Sequence, residues 1–159
     1  MADLSEPRVV AVGGPTASGK TALSVALAKT FDGEIINADS MQLYKGLDIG
    51  TAKPSPEEQQ GIPHHLLDFL PPETAYSVAD FTAAADPLIR EISGRGRLPF
   101  VVGGTGLYIT SLLNGMSFAP EKTDPAIRAR LQAQADAGDG AALYARLQQI
   151  DPDYAALVH

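Results

Sequence analysis

Gly14-Pro15-Thr16-Ala17-Ser18-Gly19-Lys20-Thr21 follows the apolar run Arg8-Val9-Val10-Ala11-Val12-Gly13. It precedes a stretch in which Ala22, Leu23, Ala26 and Leu27 recur at helical spacing to about Phe31. A strand, a loop with glycine at both ends and a helix, in that order, form a phosphate-binding loop. The glycines let the backbone bend sharply and turn its N–H groups around a polyanion. The helix that follows begins with unpaired donors and the positive end of its dipole at the same point. Lys20 adds a mobile positive charge, and the Thr21 hydroxyl is placed to hold a Mg²⁺ that bridges phosphate oxygens. Thr16, at the loop apex, is a further candidate for phosphate contact, with a turn role as its alternative.

Outward from the loop the chain alternates strand and helix. Glu34-Ile35-Ile36-Asn37-Ala38 reads as a short buried strand ending at Asp39, and Leu98-Pro99-Phe100-Val101-Val102-Gly103 as another. The fold class that follows is α/β, a P-loop NTPase-like parallel sheet with flanking helices. Three strands are clear and a fourth is expected if His65 to Phe69 pairs, a sheet expected to be incomplete in this chain. Between the strands, Ser40 to Leu70 is mostly loop, with a short helix near Pro56 to Gln60. Ser77 is a helix cap, and Val78, Phe81, Ala85, Leu88, Ile89 and Ile92 trace one apolar helical face to Gly94, with a bend expected at Pro87. A helix over roughly Leu107 to Leu113 follows the third strand. Beyond it the character changes to all helix: Asp124-Pro125 opens one helix to about Ala137, Ala141 to Ile150 forms a second, and Asp151-Pro152 opens a third. Residues 1–116 are therefore read as the α/β core and 117–159 as the start of a helical insertion.

With 159 residues, 45% of them hydrophobic and 19% charged, the chain can bury a real core. No apolar run reaches the roughly 18 residues of a membrane span and no secretory leader is visible, so a cytoplasmic protein with no membrane association is expected. There is no cysteine, and the histidines are His64, His65 and His159, which excludes thiolate and histidine-rich metal sites. His64 and His65 are adjacent and point to opposite sides, so a cleft-wall hydrogen bond is the better reading of that pair than metal. The net charge of −7 argues against nucleic acid, whose backbone is bound by Lys and Arg releasing counterions.

Ligands of open α/β sheets bind beyond the carboxyl ends of the strands, which here means the phosphate loop, Asp39-Ser40-Met41-Gln42 and Gly103-Gly104-Thr105-Gly106. Asp39 reads as a base that accepts a proton from an attacking amine or hydroxyl, or as a carboxylate holding Mg²⁺ through water. A turn cap is the bland alternative.

Gly14 to Thr21, the block Asp39 to Pro54, Pro63-His64-His65-Leu66-Leu67-Asp68, Tyr76 to Phe81 and Val102 to Tyr108 together resemble the bacterial tRNA dimethylallyltransferase family in content, order and spacing. The resemblance implies transfer of a dimethylallyl group from dimethylallyl diphosphate to the exocyclic amine of the adenosine 3′ of the anticodon, in tRNAs reading codons that begin with U. It implies that Gly14, Pro15, Thr16, Ala17, Ser18, Gly19, Lys20 and Thr21 bind the diphosphate, with Mg²⁺ at Thr21, and that Asp39, Lys20 and Thr21 serve catalysis. It also implies that Asp39, Ser40, Met41, Gln42, Thr105 and Arg128 touch the tRNA anticodon arm. For Arg128, paired with Arg130 on a helix, a solvated face is the alternative. Family members continue past the position of His159, so the chain is expected to be an N-terminal half with much of its RNA surface elsewhere. No protein partner is inferred.

Two other enzyme readings share the loop: a small-molecule kinase, in which it binds ATP, and a prenyltransferase acting on free adenylates. A third reading is a domain that binds diphosphate without reacting.

Overall fold

The computed structural model describes residues 7–116 and 124–158. The chain divides into two compact units, residues 1–117 and 118–159. The larger unit holds β1 (Val10–Gly13), α1 (Lys20–Thr30), β2 (Gly33–Asn37), α2 (Pro56–Gln59), β3 (His64–His65), α3 (Val78–Gly94), β4 (Leu98–Gly103) and α4 (Gly106–Leu113). Its sheet has the order β1-β4-β2-β3 with every pair parallel. Register runs Val10↔Phe100 to Gly13↔Gly103 on one side of β4 and Gly33↔Leu98 to Asn37↔Val102 on the other. Pro99 sits one residue before the pairing with β1 begins, near the strand start where a missing N–H is tolerated.

The fourth strand differs from expectation. It is His64–His65 and does not extend to Phe69. Leu66 and Asp68 take left-handed backbone angles (φ 55° and 53°), which end the extended run, and the N–H groups of Phe69 and Leu70 turn instead to the Leu43 carbonyl.

Alternation along β2 and β4 builds two cores. Ile36, Ala38 and Val101 face Phe81, Ala85, Ile89, Ile92, Leu43 and Tyr108, from α3, α4 and the loop. Ile35, Phe100 and Val102 face Val25 and Ala28 of α1. Full burial of each large side chain contributes about 1.5–3 kcal/mol. The Phe81 and Tyr108 rings stack with centroids 4.5 Å apart, which locks α3 onto α4. Ser77 caps α3 in a reciprocal box with Asp80, and the helix continues across Pro87 as one element.

The second unit contains α5 (Pro125–Asp136), α6 (Gly140–Ile150) and α7 (Pro152–Ala155). Asp124 caps α5 through the Ala126 N–H at 2.9 Å and Asp151 caps α7 through the Tyr154 N–H at 2.9 Å. Tyr144 ties α6 to α7 by donating its hydroxyl to the Ala155 carbonyl at 3.1 Å. Among the described residues no helix is long and apolar enough to cross a membrane.

Candidate functional site

A cleft of about 600 Å³ opens at the carboxyl end of the sheet. The phosphate loop forms one wall. Ala17 (φ 64°) and Gly19 (φ 81°) both adopt left-handed backbone, and for Ala17 this is a costly conformation of the kind concentrated at functional loops. Gly19 is the cap residue of α1, and it brings no side chain to the first-turn N–H groups. The Ser18 hydroxyl and the Lys20 ammonium donate to the same Pro15 carbonyl, at 2.8 and 2.5 Å, and close the loop on itself. Thr16, Ala17, Ser18, Gly19, Lys20 and Thr21 line the cleft. Gly14 and Pro15 are not among the lining residues; Pro15 serves the loop through its carbonyl.

Asp39 emerges just beyond the end of β2 and also lines the cleft. Its Oδ1 accepts the Met41 backbone N–H at 3.0 Å, which fixes the carboxylate orientation. The last residue of β4 is pressed onto the backbone that leads into Asp39. A Cβ on Gly103 would lie 2.2 Å from the Ala38 carbonyl atoms, so only glycine permits the approach. The next turn is tied across as well. Thr105, at the cap position of α4, makes no capping bond; its Oγ1 accepts the Ser40 N–H at 2.9 Å and donates to Ser40 Oγ at 3.1 Å. The three segments expected to meet do so: Gln42 and Gly103 line the cleft, while Ser40, Met41 and Thr105 are not among its lining residues and are joined to it through the bonds of Met41 to Asp39 and of Thr105 to Ser40. Arg128 stands exposed on α5 in the second unit, in a shallow depression with Ile127, Leu131 and Gln132.

Several groups in and near this site carry no motif of their own. Asn37 donates its amide to the carbonyls of Leu66 (3.0 Å) and Asp39 (3.3 Å), bracing the end of β2; a polar residue closing an apolar strand was the available signal. Gln42 Nε2 donates to the Thr51 and Ala52 carbonyls, each at 3.0 Å. Lys53 Nζ donates to the Tyr44 carbonyl (2.7 Å), Asp48 (2.7 Å) and Asp68 (2.6 Å). Burial alone would lower the Lys53 ammonium, but the bonds to Asp48 and Asp68 outweigh it and raise it above its ordinary value.

The two histidines part company. His64 lines the cleft and its Nδ1–H donates to the Ile62 carbonyl at 2.8 Å. Burial lowers its pKa below the ordinary value despite that bond, which favours the neutral ring. His65 instead donates from Nε2 to the buried Glu34 carboxylate at 2.6 Å, which also receives Arg95 (2.9 Å) and Arg97 (3.1 Å).

The IPP transferase family model matches residues 42–159. The chain is 54% identical over 151 residues to the tRNA dimethylallyltransferase of Anaeromyxobacter sp. strain K, covering 95% of this chain and 49% of that protein. It is 48% identical over 159 residues to the tRNA dimethylallyltransferase of Bacillus subtilis strain 168, covering 100% of this chain and 50% of that protein. Among solved structures, the full-length tRNA isopentenylpyrophosphate transferase of Bacillus halodurans superposes with a TM-score of 0.71 at 49% identity, over 97% of this chain and 51% of that one. A eukaryotic dimethylallyltransferase acting on tRNA superposes with a TM-score of 0.81 at 34% identity, over 97% and 38%. The chain thus spans about half the length of the curated relatives it matches.

Proposed function

Because the chain belongs to the IPP transferase family, we propose that it carries the donor site and the reacting carboxylate of a tRNA prenyltransferase. The donor is dimethylallyl diphosphate, and the acceptor is the exocyclic amine of the adenosine 3′ of the anticodon in tRNAs reading codons that begin with U. The observation that carries this reading is that the phosphate loop and an oriented Asp39 line one cleft.

The diphosphate is received by the loop amides, Lys20 and Thr21, which offset the negative charge that grows as the carbon–oxygen bond breaks. A carbon–nitrogen bond to the adenine amine forms, the amine proton passes to Asp39, and diphosphate leaves. An amine conjugated with a purine is a weak nucleophile, so alignment supplies much of the acceleration. Unstacking the adenosine costs roughly a few kcal/mol, repaid by contacts in the cleft.

The oxygen-rich donor set suits Mg²⁺. The cleft presents the Thr21 hydroxyl and the Asp39 carboxylate, no cluster of three or more His, Cys, Asp or Glu occurs among the described residues, and Mg²⁺ is commonly held by few protein oxygens plus substrate phosphates. Thr21 and the diphosphate oxygens would hold it, and bound there it neutralises charge on the leaving group.

Ser40, Met41, Gln42 and Thr105 border the path of the target nucleotide in this proposal. Residues 117–159 begin the helical insertion that embraces RNA, with Arg128 as a contact. With a net charge of −7, attraction of the phosphate backbone rests on local groups and on surface outside this chain.

The test offers labelled dimethylallyl diphosphate or labelled ATP, with tRNA or free nucleotides, to the chain alone and to the chain joined to the remaining half of its Bacillus subtilis relative. Label passing from the prenyl donor to an anticodon-arm adenosine, and lost in Asp39→Ala, supports the proposal. Label passing from ATP to a small molecule, or from the prenyl donor to free adenylate alone, overturns it.

A further inference from the structure

A second lysine lies in the wall of the cleft that holds Lys20, and its chemistry is different. Lys53 lines the cleft, which invites its reading as another diphosphate ligand. Its side chain is only 7% exposed, however, and its three N–H donors meet three acceptors at 2.6–2.7 Å, two of them carboxylates. Nothing of this ammonium is left for a phosphate, and its two Asp partners give the local group a negative sum that would repel one.

What Lys53 holds is specific. The Tyr44 carbonyl lies two residues beyond Gln42, and Thr51 and Ala52, which accept both N–H groups of the Gln42 amide, lie immediately before Lys53. The Asp68 N–H also donates to the Gln42 carbonyl at 3.0 Å, and the Thr51 hydroxyl to the Leu47 carbonyl at 2.7 Å. The bonds make a closed ring through Gln42, Tyr44, Lys53 and Thr51-Ala52. With its Nε2 spent on two carbonyls, the Gln42 amide is fixed in orientation, and its Oε1 is the group left to accept an N–H from a nucleobase.

We propose that Lys53 is a positioning residue, whose three bonds hold Gln42 and residues 51–54 as the acceptor-side wall of the cleft, and that it takes no part in binding the donor diphosphate. The acceptor half of this statement rests on the prenyltransferase reading above; the ordering of the wall does not.

Removing the lysine tests this without unfolding the protein. Asp48 and Asp68 are 67% and 51% exposed, so water can solvate both carboxylates once the ammonium is gone, and only the Tyr44 carbonyl loses a sheltered partner. In Lys53→Met, amide hydrogen exchange across residues 42–54 should quicken by about tenfold or more while exchange in β2 and β4 is unchanged. Affinity for inorganic diphosphate with Mg²⁺, measured by calorimetry, should stay within about twofold of the parent, whereas Lys20→Met weakens it by about 10–100-fold. In the form joined to its complementary half, KM for tRNA should rise by about tenfold with KM for the prenyl donor unchanged. Asp68→Asn should act in the same direction and add little in the Lys53→Met background, because the two belong to one network. Loss of diphosphate affinity in Lys53→Met, or unchanged exchange across 42–54, overturns the inference. If the parent transfers no prenyl group, the functional reading fails, while the exchange and diphosphate measurements still decide the role of Lys53.

Discussion

A Cβ added to Gly104 would lie 3.2 Å from Oδ2 of Asp39 and 3.7 Å from the carbonyl oxygen of Gly14. The turn after β4 therefore rests directly on the carboxylate, and the far oxygen of that carboxylate is already tethered to the Met41 N–H. Gly104→Ala leaves the fold intact, because the side chain of Asp39 can yield by a few tenths of an ångström. A displaced carboxylate would no longer be aligned with the amine it serves in the proposed reaction. We expect prenyl transfer to fall by about 10²-fold with little change in melting temperature. Gly103→Ala is the control with the opposite outcome: its Cβ meets backbone at 2.2 Å, which cannot yield, so stability is lost first. Rates and thermal melts of the two variants, side by side, check the assignment.

Asp39→Asn keeps the Met41 tether and removes the base. Transfer should drop by about 10²–10⁴-fold, the usual contribution of a positioned proton acceptor. Diphosphate affinity should hold, because the loop amides, Lys20 and Thr21 receive the diphosphate in the proposal and Asp39 is not one of its ligands. Single-turnover rates with saturating prenyl donor make the measurement, and near-parental transfer by the variant would show that Asp39 accepts no proton.

Lys20→Met separates donor binding from fold. Within the described bonds Lys20 reaches only the Pro15 carbonyl of its own loop, so its removal should leave the melting temperature nearly unchanged. Inorganic diphosphate with Mg²⁺ should bind about 10–100-fold more weakly, the loss of a charge-assisted bond of roughly 1.5–3 kcal/mol. Titration calorimetry at low and high salt checks both the loss and its electrostatic origin.

Periodicity and punctuation carried the strands, the long helix α3 and the phosphate loop, because each rests on local chemistry: alternation about a buried sheet, a Ser77 cap, glycines before a helix. The limits of β3 were not legible, since the left-handed turn begins at Leu66, a residue that does not announce such backbone, and the pairing of Phe69 and Leu70 with Leu43 is a tertiary choice. In the same way, proximity of Thr105 to Ser40 follows from strand order, but their shared hydroxyl bonds span 65 residues and no spacing rule reaches that far. Lys53 was visible as a charge in a loop and nothing more, because its partners Asp48 and Asp68 are brought together only by the folded loop. Glu34 was hidden by the apolar run around it.

Glu34 also sets how the fold responds to acid. Its carboxylate is 4% exposed and is met by His65, Arg95 and Arg97. Burial alone would raise its pKa; the hydrogen bonds from those three residues and the Arg95 charge outweigh burial and leave it below the ordinary value. A carboxylate depressed in the folded state contributes stability that is fully present above its unfolded value of about 4.3 and is lost as pH falls through that value toward the folded one. His64 acts earlier in the same direction. Its pKa is depressed by burial, so its contribution begins to fade as pH falls below about 6.5. Urea unfolding between pH 8 and pH 3 should therefore show stability declining in two stages. Glu34→Gln should cost about 2 kcal/mol at pH 7, less than for a fully buried pair because Arg95 and Arg97 are 40% exposed. It should also flatten the stage below about pH 5 and leave the earlier one in place. His64→Gln should do the reverse. An acid stage that persists unchanged in Glu34→Gln would mean that other carboxylates set the acid limit and that the three-partner cluster is not what anchors the far end of β2.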